Sequence, residues 1–186
     1  RALEAGAYVA AAHPNWYALS EPDIESLGDI HAIEVFNGVA VDENGRADSW
    51  YITDILLGRG RRYWVCATDD AHFVESGSDF FRGWVHVKAD ELSPKKLLEA
   101  LKAGHYYSST GPQIFDIQVI PGEKIMVRCS PAERVFLIGK GINYRFQYGQ
   151  GMFEAEFDLE NFNSPFGRIV VRDLNGNHAW SNPFWF

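Results

Sequence analysis

Asp70 and His72 stand two residues apart in Ala67-Thr68-Asp69-Asp70-Ala71-His72, immediately past an apolar stretch. A carboxylate and an imidazole at that spacing can reach toward one point. Oxygen from Asp with nitrogen from His suits Zn, Mn or Fe. The same pair also fits a loop in which both side chains cap turns. His13 closes a second apolar run, Ala7 to Ala12. A histidine there loses water and needs a partner, which can be a metal or a backbone carbonyl. Pro14 after it disfavours helix and predicts an extended exit for His13.

Weaker candidates surround these three. Asp69 could accept a hydrogen bond from the second ring nitrogen of His72, as ligand histidines commonly require, or it could cap a turn. Asn15 and Trp16 follow His13 and could line a substrate mouth. Asn37 and Arg46 fall on the next loop, and Arg46 could pair with a phosphate or carboxylate or serve as an exposed helix-start residue. Glu34 lies inside an apolar strand and reads as structural. His31, His86, His105 and His178 have no motif around them and read as packing or surface residues.

The elements that must position these residues alternate strand and helix over the first ~110 residues. Strands are predicted at Ala7–Ala12, Ala32–Phe36 and Tyr63–Ala67. Helical turns are predicted at Pro22–Leu27, with a longer helix from Ala47 to Leu57. Such a rhythm suggests a parallel sheet or barrel, whose ligand site lies beyond the carboxyl ends of the strands. His13, Asn37 and the Asp70–His72 pair all follow strand ends. A further strand is predicted at Gly83–Val87, then a helix capped by Ser93, opened by Pro94 and closed at Gly104. Gly111-Pro112 reads as a boundary between residues 1–111 and 112–186.

From Gln113 the pattern is all-β. Ile125, Val127 and Cys129 alternate with polar neighbours, as do Phe153, Ala155, Phe157 and Leu159. This periodicity marks half-buried antiparallel strands. Turns are predicted at Pro121-Gly122, Asn163-Ser164-Pro165 and Asn175-Gly176. About seven short strands here suggest a small β-sandwich.

Charge and composition exclude some classes. The formal charge of -8 opposes a nucleic-acid surface, which needs a basic stripe. The cluster Arg59-Gly60-Arg61-Arg62 is short and reads as a helix end with a solvated turn. No run of about 18 apolar residues offers a membrane-spanning helix. Cys66 and Cys129 sit in apolar strand contexts of different predicted domains, so they read as free, buried thiols.

Taken as an ordered series, Ala11-Ala12-His13-Pro14-Asn15-Trp16, Ala32-Ile33-Glu34-Val35-Phe36-Asn37-Gly38 and Thr68-Asp69-Asp70-Ala71-His72 resemble the PHP (polymerase and histidinol phosphatase) superfamily. That family carries a histidine-proline motif after one barrel strand and a D-x-H motif after a later one. Ala100–Gly104, Tyr107–Pro112 and Ala179–Pro183 resemble a subgroup with a β-rich tail that includes carbaryl-hydrolase-like metallohydrolases. The resemblance covers nearly the whole chain.

It implies the C-terminal part of a distorted (β/α) barrel over residues 1–111 and a β-sandwich over 112–186. It implies two or three divalent metals of the Zn, Mn or Fe kind, held in part by His13, Asp70 and His72. No side chain acts as a catalyst beyond those ligands. The metals activate a water that attacks a small-molecule phosphoester or, alternatively, an ester or carbamate. Glu34 matches a family glutamate without a clear ligand role. The family's H-x-H motif and bridging glutamate would lie upstream of Arg1, so this stretch by itself is expected to be inactive.

Two other classes stand beside this. A non-catalytic chain could bind a partner or a carbohydrate through the β region, which is rich in aromatics such as Tyr144, Phe146, Tyr148 and Trp180. The simpler expectation is that alternation buries most of these rings. A PHP relative without catalysis, serving as a scaffold, is the third.

Overall fold

The computed structural model describes residues 1–73 and 79–186. It is a mixed α/β fold with few helices and a mostly antiparallel sheet.

The N-terminal part is a three-stranded parallel sheet in the order β1 (Ala10–Ala11), β2 (Ala32–Asn37), β3 (Trp64–Thr68). Helix α1 (Glu21–Glu25) connects the first two strands, and α2 (Gly38–Glu43) with α3 (Trp50–Gly58) connects β2 to β3. The strands read as continuous apolar runs because both faces are covered. On one face Ile33 packs with Ile24, Leu56 and Tyr63. On the other Ala32 and Cys66 pack against Tyr106. The basic cluster after α3 does more than sit in water. Arg61 pairs with Glu25 at 2.8 Å and Arg59 with Glu21 at 2.5 Å, tying the end of α3 to α1.

α2 occupies a stretch expected to be loop. Asn37 caps it by accepting from the Ala40 N–H at 2.9 Å, the bond an N-cap side chain makes. Six residues carry too little periodicity to announce a helix. Helix α4 (Pro94–Ala103) follows its sequence signals, with the Ser93 side chain accepting from the Lys96 N–H and Gly104 in the left-handed region.

The remaining strands form one eight-stranded sheet: β4 (Trp84–Val87), β5 (Tyr106–Ser109), β6 (Ile114–Ile120), β7 (Lys124–Ile138), β8 (Tyr144–Asp158), β9 (Phe166–Arg172), β10 (His178–Ser181) and β11 (Phe184–Trp185). The path runs β4-β5-β10-β9-β7-β6, with β8 on β7 and β11 on β9. The expected sandwich of about seven short strands is corrected here. β7 and β8 run 15 residues each, and strands from both sides of Gly111-Pro112 share the sheet. Register shifts between Arg128 and Arg134 mark irregularities in β7. Such bulges bend a strand, so one strand can serve two halves of a sheet. Ile125, Val127 and Phe157 from one half meet Leu137, Ile169 and Val171 from the other in a shared core. Alternation identifies the inward face but not how many sheets the strands make.

Side chains join the two sheets. The Val65 N–H at the outer edge of β3 donates to Asn182 Oδ1 at 2.8 Å, and the Ala67 N–H donates to Ser108 Oγ at 3.0 Å. Asn182 Nδ2 donates in turn to the carbonyls of Gly104 and Tyr106 at 2.9 and 3.0 Å. Buried backbone groups must find partners, and here polar side chains replace a fourth parallel strand. Cys66 and Cys129 are free and buried.

Candidate metal centre

His13, Asn37 and Asp70 come off the carboxyl ends of β1, β2 and β3 in turn, so the parallel order of the sheet sets them side by side. His13 Nε2 lies 3.9 Å from Asp70 Oδ2. Asn37 Nδ2 bridges between, at 3.2 Å from both Asp70 Oδ2 and Glu34 Oε2. His72 is exposed at the mouth of the same cavity of about 340 Å³, whose walls include Trp16, Tyr17 and Asp79. The His72 N–H donates to Asp79 Oδ2 at 2.6 Å.

Beneath the rim lies Glu34, buried in β2. Its carboxylate accepts the backbone N–H of His13, the amide of Asn37 and the hydroxyl of Thr68. One buried anion thus ties all three strand ends together. Its charge also reaches Cys66, whose thiol is pushed up to about 12, chiefly by burial and then by Glu34. Cys66 therefore stays protonated near neutrality and offers no nucleophile.

The backbone at two candidate residues is unusual. His13 has φ of +30° and Asp70 has φ of +56°. The extended conformation expected of His13 before Pro14 is thus corrected. His and Asp enter the left-handed region more readily than most residues, yet it costs energy and gathers at functional sites. The Glu34 bond to the His13 N–H holds the residue there.

Other sequence candidates fall elsewhere. Asp69 accepts from the backbone N–H groups of Phe81, Arg82 and Gly83 at 2.6 to 2.8 Å, so it organises that loop and does not orient His72. Asn15 lines a neighbouring cavity with Leu19 and Ile52, and its N–H donates to Ser49. Arg46 is exposed and donates to the Trp16 carbonyl at 3.3 Å, outside the cavity. Sequence reading left Asp42, Glu43, Asp79 and Tyr17 unassigned, though all line the cavity. Asp42 and Glu43 end the short helix α2, and no motif surrounds any of the four. The ring of Tyr17 stands 5.3 Å from that of His13.

Two observations bear on whether a metal fits. His13 Nδ1 is buried without a hydrogen-bond partner. The 3.9 Å gap between His13 and Asp70 exceeds a hydrogen bond but lies within the roughly 4.2 Å that two metal bonds of about 2.1 Å can span. Against these, among the described residues no group of three His, Cys, Asp or Glu side chains is gathered closely enough to hold an ion. The donor set fits part of a centre: one imidazole, one carboxylate, and His72 at the mouth. No protein-family model, curated protein or solved structure matches the chain.

Proposed function

We propose that this chain belongs to a metal-dependent hydrolase of the PHP type, with residues 1–111 as the C-terminal part of its distorted barrel. The favoured substrates are small phosphoesters. The observation that carries the reading is the meeting of His13 and Asp70 in one cavity, beyond the carboxyl ends of parallel strands. Ligand sites of parallel α/β folds lie there. His13 and Asp70, with His72, would hold divalent Zn, Mn or Fe, and further donors complete the shell. A metal bound there supplies a water whose pKa is lowered toward neutrality. Glu34 holds the backbone N–H of His13, Asn37 donates to the Asp70 carboxylate, and Trp16 and Tyr17 wall the cavity. An ester or carbamate hydrolase of the same type uses the same residues.

The experiment is metal analysis of the full-length protein with hydrolysis of p-nitrophenyl phosphate and p-nitrophenyl acetate. His13→Ala and Asp70→Asn are expected to lose bound metal and turnover together while staying folded. Equal metal content and activity in wild type and both variants would remove the assignment. The ratio of the two activities separates phosphoesterase from esterase.

A further inference from the structure

The alternation that buries Ala155 and Phe157 on β8 fails at its start. Tyr144, Phe146 and Tyr148 are exposed, Tyr148 by 73%. This overturns the expectation that most tail aromatics are core, although Trp180 is buried. The three rings share one side of the strand, spaced 6.4 and 6.3 Å apart, with successive planes inclined by 21° and 31°. They form a nearly continuous ladder on a strand that pairs, among the described residues, with β7 alone.

Arg134 of β7 stands directly opposite Tyr148, its guanidinium 6.0 Å from the ring centroid. Among the described residues it has no carboxylate partner, and its Nε is buried without a hydrogen bond. The neighbouring arginines differ. Arg168 is held by Asp54 and Arg172 by Glu133. An uncommitted guanidinium is a strong site for a carboxylate.

We propose that this ladder and Arg134 bind a mainly neutral polysaccharide carrying sparse carboxylates. Sugar rings would stack on Tyr144, Phe146 and Tyr148 and one uronate would meet Arg134. The C–H faces of a pyranose match the electron-rich faces of aromatic rings. Single-stranded nucleic acid also stacks on such ladders, but it brings a phosphate with every nucleotide and needs a row of cations. Among the described residues on this face, Arg134 is the guanidinium without a carboxylate, since Arg168 and Arg172 are paired, and the chain carries a formal charge of -8. An added protein strand is disfavoured because β8 uses its own side chains on its backbone. Arg145 donates to the Tyr144 carbonyl at 3.0 Å and Gln147 to that of Glu156 at 2.7 Å. This site is independent of the His13 cavity.

Affinity electrophoresis of the full chain in gels containing glucuronoxylan tests the proposal. Retardation is expected, with affinity falling about tenfold in Tyr148→Ala and in Arg134→Gln. Neutral arabinoxylan should retard the wild type about as weakly as glucuronoxylan retards Arg134→Gln. Tyr51→Ala, which removes an exposed ring outside the ladder, should behave as wild type. The proposal is overturned by absence of retardation, by retardation unchanged in both ladder variants, or by tighter binding of oligothymidylate.

Discussion

The carboxylate of Glu34 accepts the backbone N–H of His13 at 2.5 Å, across 21 positions of sequence. A residue buried for structural reasons thereby sets the conformation of a candidate ligand. Glu34→Gln keeps the volume but presents an amide where three donors converge. Unfolding is expected to cost about 2 kcal/mol less, a Tm drop of roughly 4–8 °C for a chain this long. If the metal assignment holds, zinc affinity should fall about 10–100-fold as His13 relaxes. Thermal melts and zinc titration measure the two effects separately.

Asn182 is, with Ser108, one of the side-chain links between the sheets, accepting from Val65 and donating to Gly104 and Tyr106. Asn182→Ala strands a buried N–H and two carbonyls. A loss of about 3 kcal/mol is expected, with faster amide exchange at Val65. Unchanged exchange there would show that the edge of β3 is held by something else.

Arg168 is buried, forked onto Asp54 at 2.9 and 2.7 Å, and stacked 3.7 Å over the Trp50 ring. Asp54→Ala leaves that cation uncompensated. The carboxylate is partly exposed, so the expected loss is about 2–3 kcal/mol, below the range for a fully buried pair. Urea unfolding measures it, and Asp54→Asn should recover part of the loss by keeping an acceptor.

His178 has its pKa lowered, first by burial and then by Arg172. It also stacks on Trp180, with ring centroids 5.6 Å apart. A folded-state pKa below the unfolded one means the unfolded chain takes up the proton first. The stability His178 contributes is therefore complete above about pH 6.5 and is lost as pH falls through its folded value. His178→Gln should flatten stability between pH 7.5 and 5.5. Asp48, raised by burial, works in the opposite sense, gaining stability as pH falls through its folded value toward the unfolded value of about 3.9, and Asp48→Asn should abolish that acid-side gain.

Strand positions up to β3, helix α3 and the caps of α4 were legible because each rests on local chemistry. Apolar runs, Ser93-Pro94 and Gly104 act within a few residues. His13, Asn37 and Asp70 were readable as strand-end residues for the same reason. The role of Glu34 was not, since its three donors come from three strands. Asp69 was ambiguous because capping a loop and orienting a histidine need the same residue type. Tyr144, Phe146 and Tyr148 misled because period-2 alternation distinguishes two faces of a strand without saying which neighbours cover each face.

By itself the sequence determined the local elements and the strand-end positions of the polar groups, because backbone preference and periodicity are short-range. The folded chain alone decided which ends meet, that Glu34 anchors them, that β4 and β5 join the tail strands in one sheet, and that an aromatic ladder stays in water. Those outcomes depend on contacts between residues far apart in the chain, where packing and the satisfaction of buried hydrogen bonds select among arrangements that local preference leaves equal.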